Sequence, residues 1–341
     1  MNLKIQYCFI ALFMLAACNN DTDELPVEIP ISMNAQMVTD VDATRALSTN
    51  EIRGALPSKE YPLEALLCFS TTSKVYDTEP TPVVPTYLPC HTTINYTSGT
   101  KTYPAPIGEN DIKYPINNSW VYCAGLYPSS GWTFDEGSTT NASYVLDGET
   151  DIMFAPEISG CMYTPFGTQT YTHLQTWVKL NVCATDHEAI EAWGKIKSIT
   201  LKGHKKIKID LDTEFNNKDE LKTAFKDGKI AFSDELTLAP VAESDNVSLK
   251  TQLKELASFF YVPADVTCNV LEIETENRGT KSVSFDLVDA EHNKITDLSD
   301  AVGKIFVVEL HFFPIELIKA KCTLNQWEDW TDNLFMDKEN A

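Results

Sequence analysis

Residues 304–324 read Lys304-Ile-Phe-Val-Val-Glu-Leu-His-Phe-Phe313, then Pro-Ile-Glu-Leu-Ile-Lys-Ala-Lys-Cys-Thr-Leu324. Phe306, Val308, Leu310 and Phe312 fall at every second position, and beyond Phe313-Pro314 so do Ile318, Ala320, Cys322 and Leu324. A period of two puts each set on one face of a pleated strand, where a helix would need spacings of three and four. The stretch predicts two half-buried strands that meet at the proline as a hairpin. The same pattern recurs upstream. Leu63–Phe69, Trp120–Leu126 and Leu174–Val182 are short apolar runs rich in β-branched and aromatic residues. Clusters of Thr, Ser, Pro, Asn and Gly separate such runs, as in Thr78–Pro89 and Tyr127–Asn141. Short strands with turn signals predict an all-β chain of antiparallel sandwiches, not alternating βαβ units. Helical signals are brief: Asp186–Trp193 with Asp186 as N-cap and Gly194 as stop, Leu249–Leu256, and Asp219–Lys226 closed by Gly228. No long helix and no repeat of fixed period is evident, which disfavours solenoids and propellers.

Length and composition bound the reading. At 341 residues the chain exceeds one typical domain of ~100–200 residues, so two are expected. Hydrophobic residues make up 43%, enough for real cores. Asp and Glu outnumber Lys and Arg by 49 to 27, a net charge of -22. Such a surface repels phosphate backbones and anionic headgroups, so nucleic acid is not an expected partner.

The N-terminus carries an address. A basic start (Lys4) precedes the uncharged apolar run Cys8–Ala17, which is too short to span a bilayer and fits a signal-peptide core. The run ends in Leu15-Ala16-Ala17-Cys18, which resembles the bacterial lipobox and implies diacylglycerol on the Cys18 thiol. A generic secretory signal with an incidental cysteine is the plainer reading. Several acyl chains on Cys18 would hold the protein on outer-membrane lipid. Asn19–Glu24 is a polar acidic tether similar to a surface-export signal of Bacteroidetes lipoproteins. Setting Cys8 and Cys18 aside leaves Cys68, Cys90, Cys123, Cys161, Cys183, Cys268 and Cys322, an odd set without a C-x-x-C pair. They are expected to be mostly buried thiols, with room for one disulfide.

Catalytic and cofactor signatures are sparse. The six histidines are dispersed without paired-ligand spacing, and no nucleophile elbow or phosphate-cradling glycine loop occurs. No cofactor and no metal centre is expected. Asp210, Asp212, Glu214 and Asn216 imitate the start of a calcium loop, but Phe215 stands where its glycine belongs and Leu221 where its glutamate belongs. The pairs Asp289/Glu291 and Glu274/Glu276 are spaced to share a strand face, although glycosidase chemistry needs carboxylates across a cleft. Lys195, Lys197, Lys202, Lys205, Lys206 and Lys208 form a basic stretch expected along solvent-facing sheet edges. The turn aromatics Tyr127, Trp132 and Tyr163 are the candidate platform for a sugar ligand.

Several landmarks fall in one order along the chain. Asp42-Ala-Thr-Arg45-Ala46-Leu follows the tether, then come Val121–Pro128, Leu146–Ala155 with Asp147 and Asp151, and Thr172-His173-Leu174 through Val182. Ile196–Gly203, Tyr261-Val262-Pro263 and Phe306–Trp330 complete the set. Together they resemble the Bacteroidetes fimbrillins, the subunits of type V pili. Leu126 replaces a common aromatic of that family, and the approach to Trp330 departs from its pattern.

The resemblance implies two transthyretin-like β-sandwich domains, expected over 46–168 and 169–330. A signal peptide (1–18), a tether with a removable strand (19–45) and a tail (331–341) would flank them. It implies a surface lipoprotein precursor cut between Arg45 and Ala46, with Arg53 as the alternative cut. Loss of the leading strand would open a groove for a strand donated by another subunit. The stretch Leu25–Val41, with Val27, Ile29, Ile31 and Met33 alternating, is suited to fill that groove beforehand. The implied partners are other fimbrial subunits in a homo- or hetero-polymer at the cell outer membrane, with no enzymatic activity. The competing class is a permanently anchored lipoprotein or a pilus-tip adhesin that binds host protein or glycan. The C-terminus bears on the choice: Thr331–Ala341 is short for a donor strand unless Ile315–Leu324 is itself donated.

Overall fold

The computed structural model describes residues 29–38, 63–70, 88–94, 103–106, 112–135, 140–242 and 245–325. The first strands are β1 (Ser32–Val38), β2 (Leu63–Ser70), β3 (Leu88–Ile94), β4 (Tyr103–Pro106), β5 (Val121–Tyr127), β6 (Thr133–Phe134), β7 (Asn141–Val145), β8 (Met153–Gly160) and β9 (Thr168–His173). They are followed by β10 (Thr176–Ala184), β11 (Lys195–Asp210), β12 (Ile230–Val241), β13 (Val247–Ser248), β14 (Lys254–Tyr261), β15 (Asn269–Thr275), β16 (Gly279–Phe285), β17 (Ile305–Phe313) and β18 (Leu317–Asn325). The described helices are α1 (His187–Trp193), α2 (Lys218–Lys226) and α3 (Leu298–Ala301). The protein is all-β, with short helical turns in the connections.

The predicted hairpin forms. Strands β17 and β18 pair antiparallel from Phe313↔Leu317 to Ile305↔Asn325. Phe306, Val308, Leu310 and Phe312 are buried, and Ile318, Ala320, Cys322 and Leu324 pack against the same core. A four-stranded sheet runs β14-β10-β17-β18, with β10 and β17 parallel. It lies over a second sheet ordered β16-β15-β11-β7-β6, onto which β12 and β13 also pair through β11. Val178 and Leu180 of β10 meet Ile199 of β11 and Ile273 of β15 in the core between them.

The remaining sheet, β3-β2-β5-β8-β9-β1-β4, curls until its end strands β3 and β4 lie close together. Its inner face buries Leu67, Phe69, Cys123, Met153 and Tyr171. Its outer face sends Leu66, Leu126 and Phe154 against Ile207 and Ile209 of β11 and against Leu221 of α2. This sheet runs to His173, past the expected domain boundary at 168, while β7 leaves the N-terminal half to pair with β11 and β6 pairs with β7.

Helix α1 starts and stops where the sequence signals it. The Asp186 carboxylate accepts from the Ala189 N–H at 2.8 Å, and Gly194 (φ 69°) caps the far end through Ile190. The last residue of α1, Trp193, is fully buried. Its indole N–H donates to the Phe313 carbonyl at 2.7 Å, and its ring meets Phe312 edge-on at 5.5 Å. The Arg278 guanidinium lies 4.7 Å above that ring and donates to the carbonyls of Ala192 and Pro314. One indole thereby joins α1 to the corner of the hairpin. Asn217 caps α2, and Gly228 (φ 70°) follows it, as the closing glycine predicts.

Three expectations are corrected. Leu249–Leu256 is not helical: it runs as coil into β14, because the register with β10 and the burial that follows override local propensity. The lysine-rich stretch is β11, which is the centre of its sheet and not an edge. Its lysines sit on the solvent side, where Lys202 and Lys208 pair with Glu235 and Asp135 at 2.7 and 2.8 Å. Asp289 and Glu291 belong to a turn, in which the Asp289 carboxylate accepts from the N–H groups of Glu291 and Asn293. The expectation of mostly buried thiols holds: the seven body cysteines are free and five of them are buried, with Cys322 half-buried and Cys268 exposed.

Replacing Trp193 by Ala removes its packing and leaves the Phe313 carbonyl without its donor. The expected loss of stability is about 3–5 kcal/mol, read from the urea midpoint at unchanged slope.

Candidate functional site

Strand β1 is an interior stave of the curled sheet. On one side it runs parallel to β9, with Asn34 opposite Thr168 and Val38 opposite Thr172. On the other it is antiparallel to β4, with Ser32 opposite Pro106 and Ala35 opposite Tyr103. The entering chain is held as well: Ile31 N–H donates to the Ile112 carbonyl at 3.0 Å and Tyr114 N–H to the Ile29 carbonyl at 3.1 Å. Ile31, Met33 and Ala35 are buried while Asn34 faces solvent, the alternation expected of a half-buried strand. Burial of Ile31 and Met33 contributes about 1.5–3 kcal/mol each. Removing this strand would strip the backbone partners from β9 on one side and from β4 on the other. Such a slot can be refilled by any strand of matching alternation.

Next to the slot, β9 is fastened to β8 at its end. His173 Nδ1 lies 2.6 Å from Asp151 Oδ2 with both side chains buried, and Leu174 N–H donates to the Ile152 carbonyl at 2.8 Å. The pair joins two sequence landmarks 22 residues apart. No spacing rule connects them, so the contact was invisible in the sequence. Gln169 supports the same strand from within, donating through Nε2 to the Cys123 carbonyl at 3.1 Å across the bulge of the β5–β8 pairing.

A cleft of about 400 Å³ opens on the outer side of β9, between its Thr168, Thr170 and Thr172 and the segment around Asn217 and Val302. Glu157 is the single carboxylate in its lining. The facing carboxylates that glycosidase chemistry requires are therefore not assembled there.

The candidate residues lie as follows. Cys18, Arg45 and Ala46 fall outside the described residues, as do the tether, Arg53 and Trp330. The turn aromatics are not gathered into one platform: Tyr127 is buried in the core inside the curled sheet. Trp132 leans on Tyr144 at 5.1 Å and donates its indole N–H to the Pro128 carbonyl. Only Tyr163, 77% exposed, offers a free ring face. In the calcium-like run, Asp210 and Asp212 hold the Lys229 ammonium at 2.6 and 3.0 Å. Among the described residues no group of three or more His, Cys, Asp or Glu side chains is arranged to hold a metal ion.

The fold has known counterparts. The chain aligns over 88% of its length with 99% of a Bacteroides uniformis protein assigned to cell adhesion, at a TM-score of 0.52 and 10% identity. A Bacteroides ovatus protein assigned to cell adhesion aligns with 89% of this chain and 99% of its own, at 0.49 and 13%. A fimbrial assembly protein of Parabacteroides distasonis covers 88% of this chain and 99% of its own, at 0.42 and 12%. At these identities the likeness is one of fold. The structural neighbours are Bacteroidetes adhesion and fimbrial proteins, in line with the fimbrillin resemblance of the sequence. No protein-family model and no curated protein sequence matches the chain.

Replacing Asp151 by Ala strands the His173 imidazole without its carboxylate partner. The expected cost is about 1–3 kcal/mol in urea denaturation, and a double-mutant cycle with His173→Ala should return a coupling of about 0.5–3 kcal/mol.

Proposed function

We propose that the protein is a structural or adhesive subunit of a cell-surface fimbria, without enzymatic activity. It is exported as a lipoprotein through Cys18, cut between Arg45 and Ala46, and joined to other subunits by strand exchange. The observation that supports this reading is the position of β1. The strand nearest upstream of the candidate cleavage arginine is the one buried between β9 and β4, so a cut at Arg45 would free it from the chain that follows. Departure of β1 would leave two open edges and an apolar trough over Leu67, Phe69 and Tyr171, which a donor strand could fill. The N-terminal sandwich is the receiving domain in this reading, with its end moved from 168 to His173, where β9 stops. The fold shared with the Bacteroides uniformis protein assigned to cell adhesion agrees with this assignment.

A second reading, a tip or anchor subunit, draws support from the other end of the chain. Strand β18 pairs with β17 over nine residues, which supports reading Ile315–Leu324 as part of its own domain. Beyond β18, Leu334, Phe335 and Met336 are the main apolar cluster of residues 326–341. Host protein or glycan would then be the adhesive ligand, and retention on outer-membrane lipid through Cys18 would persist.

Arginine-specific proteolysis of the precursor should yield a mature N-terminus at Ala46 by mass spectrometry and SDS-resistant ladders on gels. The Arg45→Ala precursor should remain monomeric, and Cys18→Ala should lose palmitate labelling. Equal polymerisation of the Arg45→Ala protein would overturn strand exchange. A correctly cut protein that never forms ladders with itself would favour the tip or anchor role.

A further inference from the structure

The solvent side of the hairpin sheet carries an array that the fimbrial reading does not use. Cys183 on β10 and His311 on β17 are register partners in parallel strands, and Sγ lies 3.3 Å from Nδ1. On its other side the imidazole meets Glu309, with Nε2 3.4 Å from Oε2. Glu309 is two residues from His311, so strand alternation puts both on one face. The His311 side chain is 35% exposed and that of Glu309 23%, while Cys183 is buried, so solvent reaches the array from the imidazole side.

We propose that Cys183 and His311 form a binding site for a thiophilic divalent cation of the zinc type, with Glu309 as the positioning residue behind the imidazole. With the Glu309 carboxylate beside Nε2, that nitrogen can carry the ring proton and leave the Nδ1 lone pair toward the sulfur. This is the arrangement of metal-ligating histidines, whose second nitrogen is held by a carboxylate. Tetrahedral zinc with bonds of about 2.3 Å to sulfur and about 2.0–2.1 Å to nitrogen sets its S and N ligands about 3.6 Å apart. The observed 3.3 Å separation needs to widen by only a few tenths of an ångström.

Binding replaces the shared proton: the S–H bond breaks, an S–metal bond forms, and one proton passes to solvent. With two protein ligands the other positions fall to water, so the site is exchangeable and not a folding element. The Lys319 ammonium, on the strand next to His311, lies over the Phe313 ring at 5.5 Å. The Cys–His–Glu order also resembles a nucleophilic array. However, β10 and β17 are paired in a parallel ladder through this stretch, so the backbone N–H groups between them are engaged and not turned to an oxyanion. The array therefore favours a cation.

The test is titration of the full chain with Co2+ in detergent, without a histidine tag and with its thiols reduced. A sulfur-to-cobalt charge-transfer band should grow to saturation at one ion per chain and be displaced by Zn2+. Cys183→Ser should abolish the band, and Glu309→Gln should weaken binding by about 10-fold or more. His311→Ala should weaken it further, and Cys268→Ser, at a separate exposed thiol, should leave it intact. The half-exposed His311 and Glu309 variants keep the test decisive if Cys183→Ser folds poorly. Absence of the band, its survival in Cys183→Ser, or undiminished affinity in His311→Ala overturns the proposal.

Discussion

Strand β11 has to serve two cores at once, and the other elements are arranged around that demand. Ile196, Ile199 and Leu201 enter the core under β10 and β17, whereas Ile207 and Ile209 enter the one under the curled sheet. Between the two sets the strand passes beneath the segment Tyr261-Val262-Pro263. His204 N–H donates to the Val262 carbonyl at 2.9 Å, and Gly203 bridges to Pro263. A Cβ on Gly203 would stand 2.9 Å from the Val262 oxygen, closer than a real Cβ approaches backbone. The glycine is required by this close approach and not by any turn. Because β11 runs continuously through the crossing, the curled sheet and the hairpin sandwich are built onto one sixteen-residue strand.

How much of this could be read in advance depended on the range of each interaction. The hairpin and α1 are specified by neighbours in sequence: alternation about Pro314 in the first, a side-chain cap and a stop glycine in the second. Both form at the predicted places. Leu249–Leu256 failed because pairing with β10, more than 70 residues upstream, decides its conformation. The central role of β11 was hidden for a related reason. Its lysines read as edge protection, but alternation reports only which side chains are wet and not how many strands lie alongside. The calcium-like run carried suitable oxygens, yet Lys229, just before β12, pairs with two of them, those of Asp210 and Asp212.

The candidate site was legible in part. Alternation through Ile31 and Met33 marked a strand suited to an apolar groove, and both residues are buried. The sequence could not say that its neighbours would be β9 and β4, since parallel pairing with β9 joins segments more than 130 residues apart. The Asp151–His173 contact was out of reach for the same reason.

The two ends of the described chain differ in a way that bears on exchange. Among the described residues, strand β18 is an edge with a strand partner on one side, and its exposed positions include Lys319 and Lys321, which discourage a further strand. Strand β1 has backbone partners on both sides and completes the inner core of the curled sheet. Loss of an edge strand would leave the number of open edges unchanged, whereas loss of an interior stave adds two and wets the core beneath. A state without β1 would therefore be short-lived unless another strand enters as β1 leaves. If strands are exchanged as proposed, this favours replacement coupled to departure over an empty groove awaiting a partner.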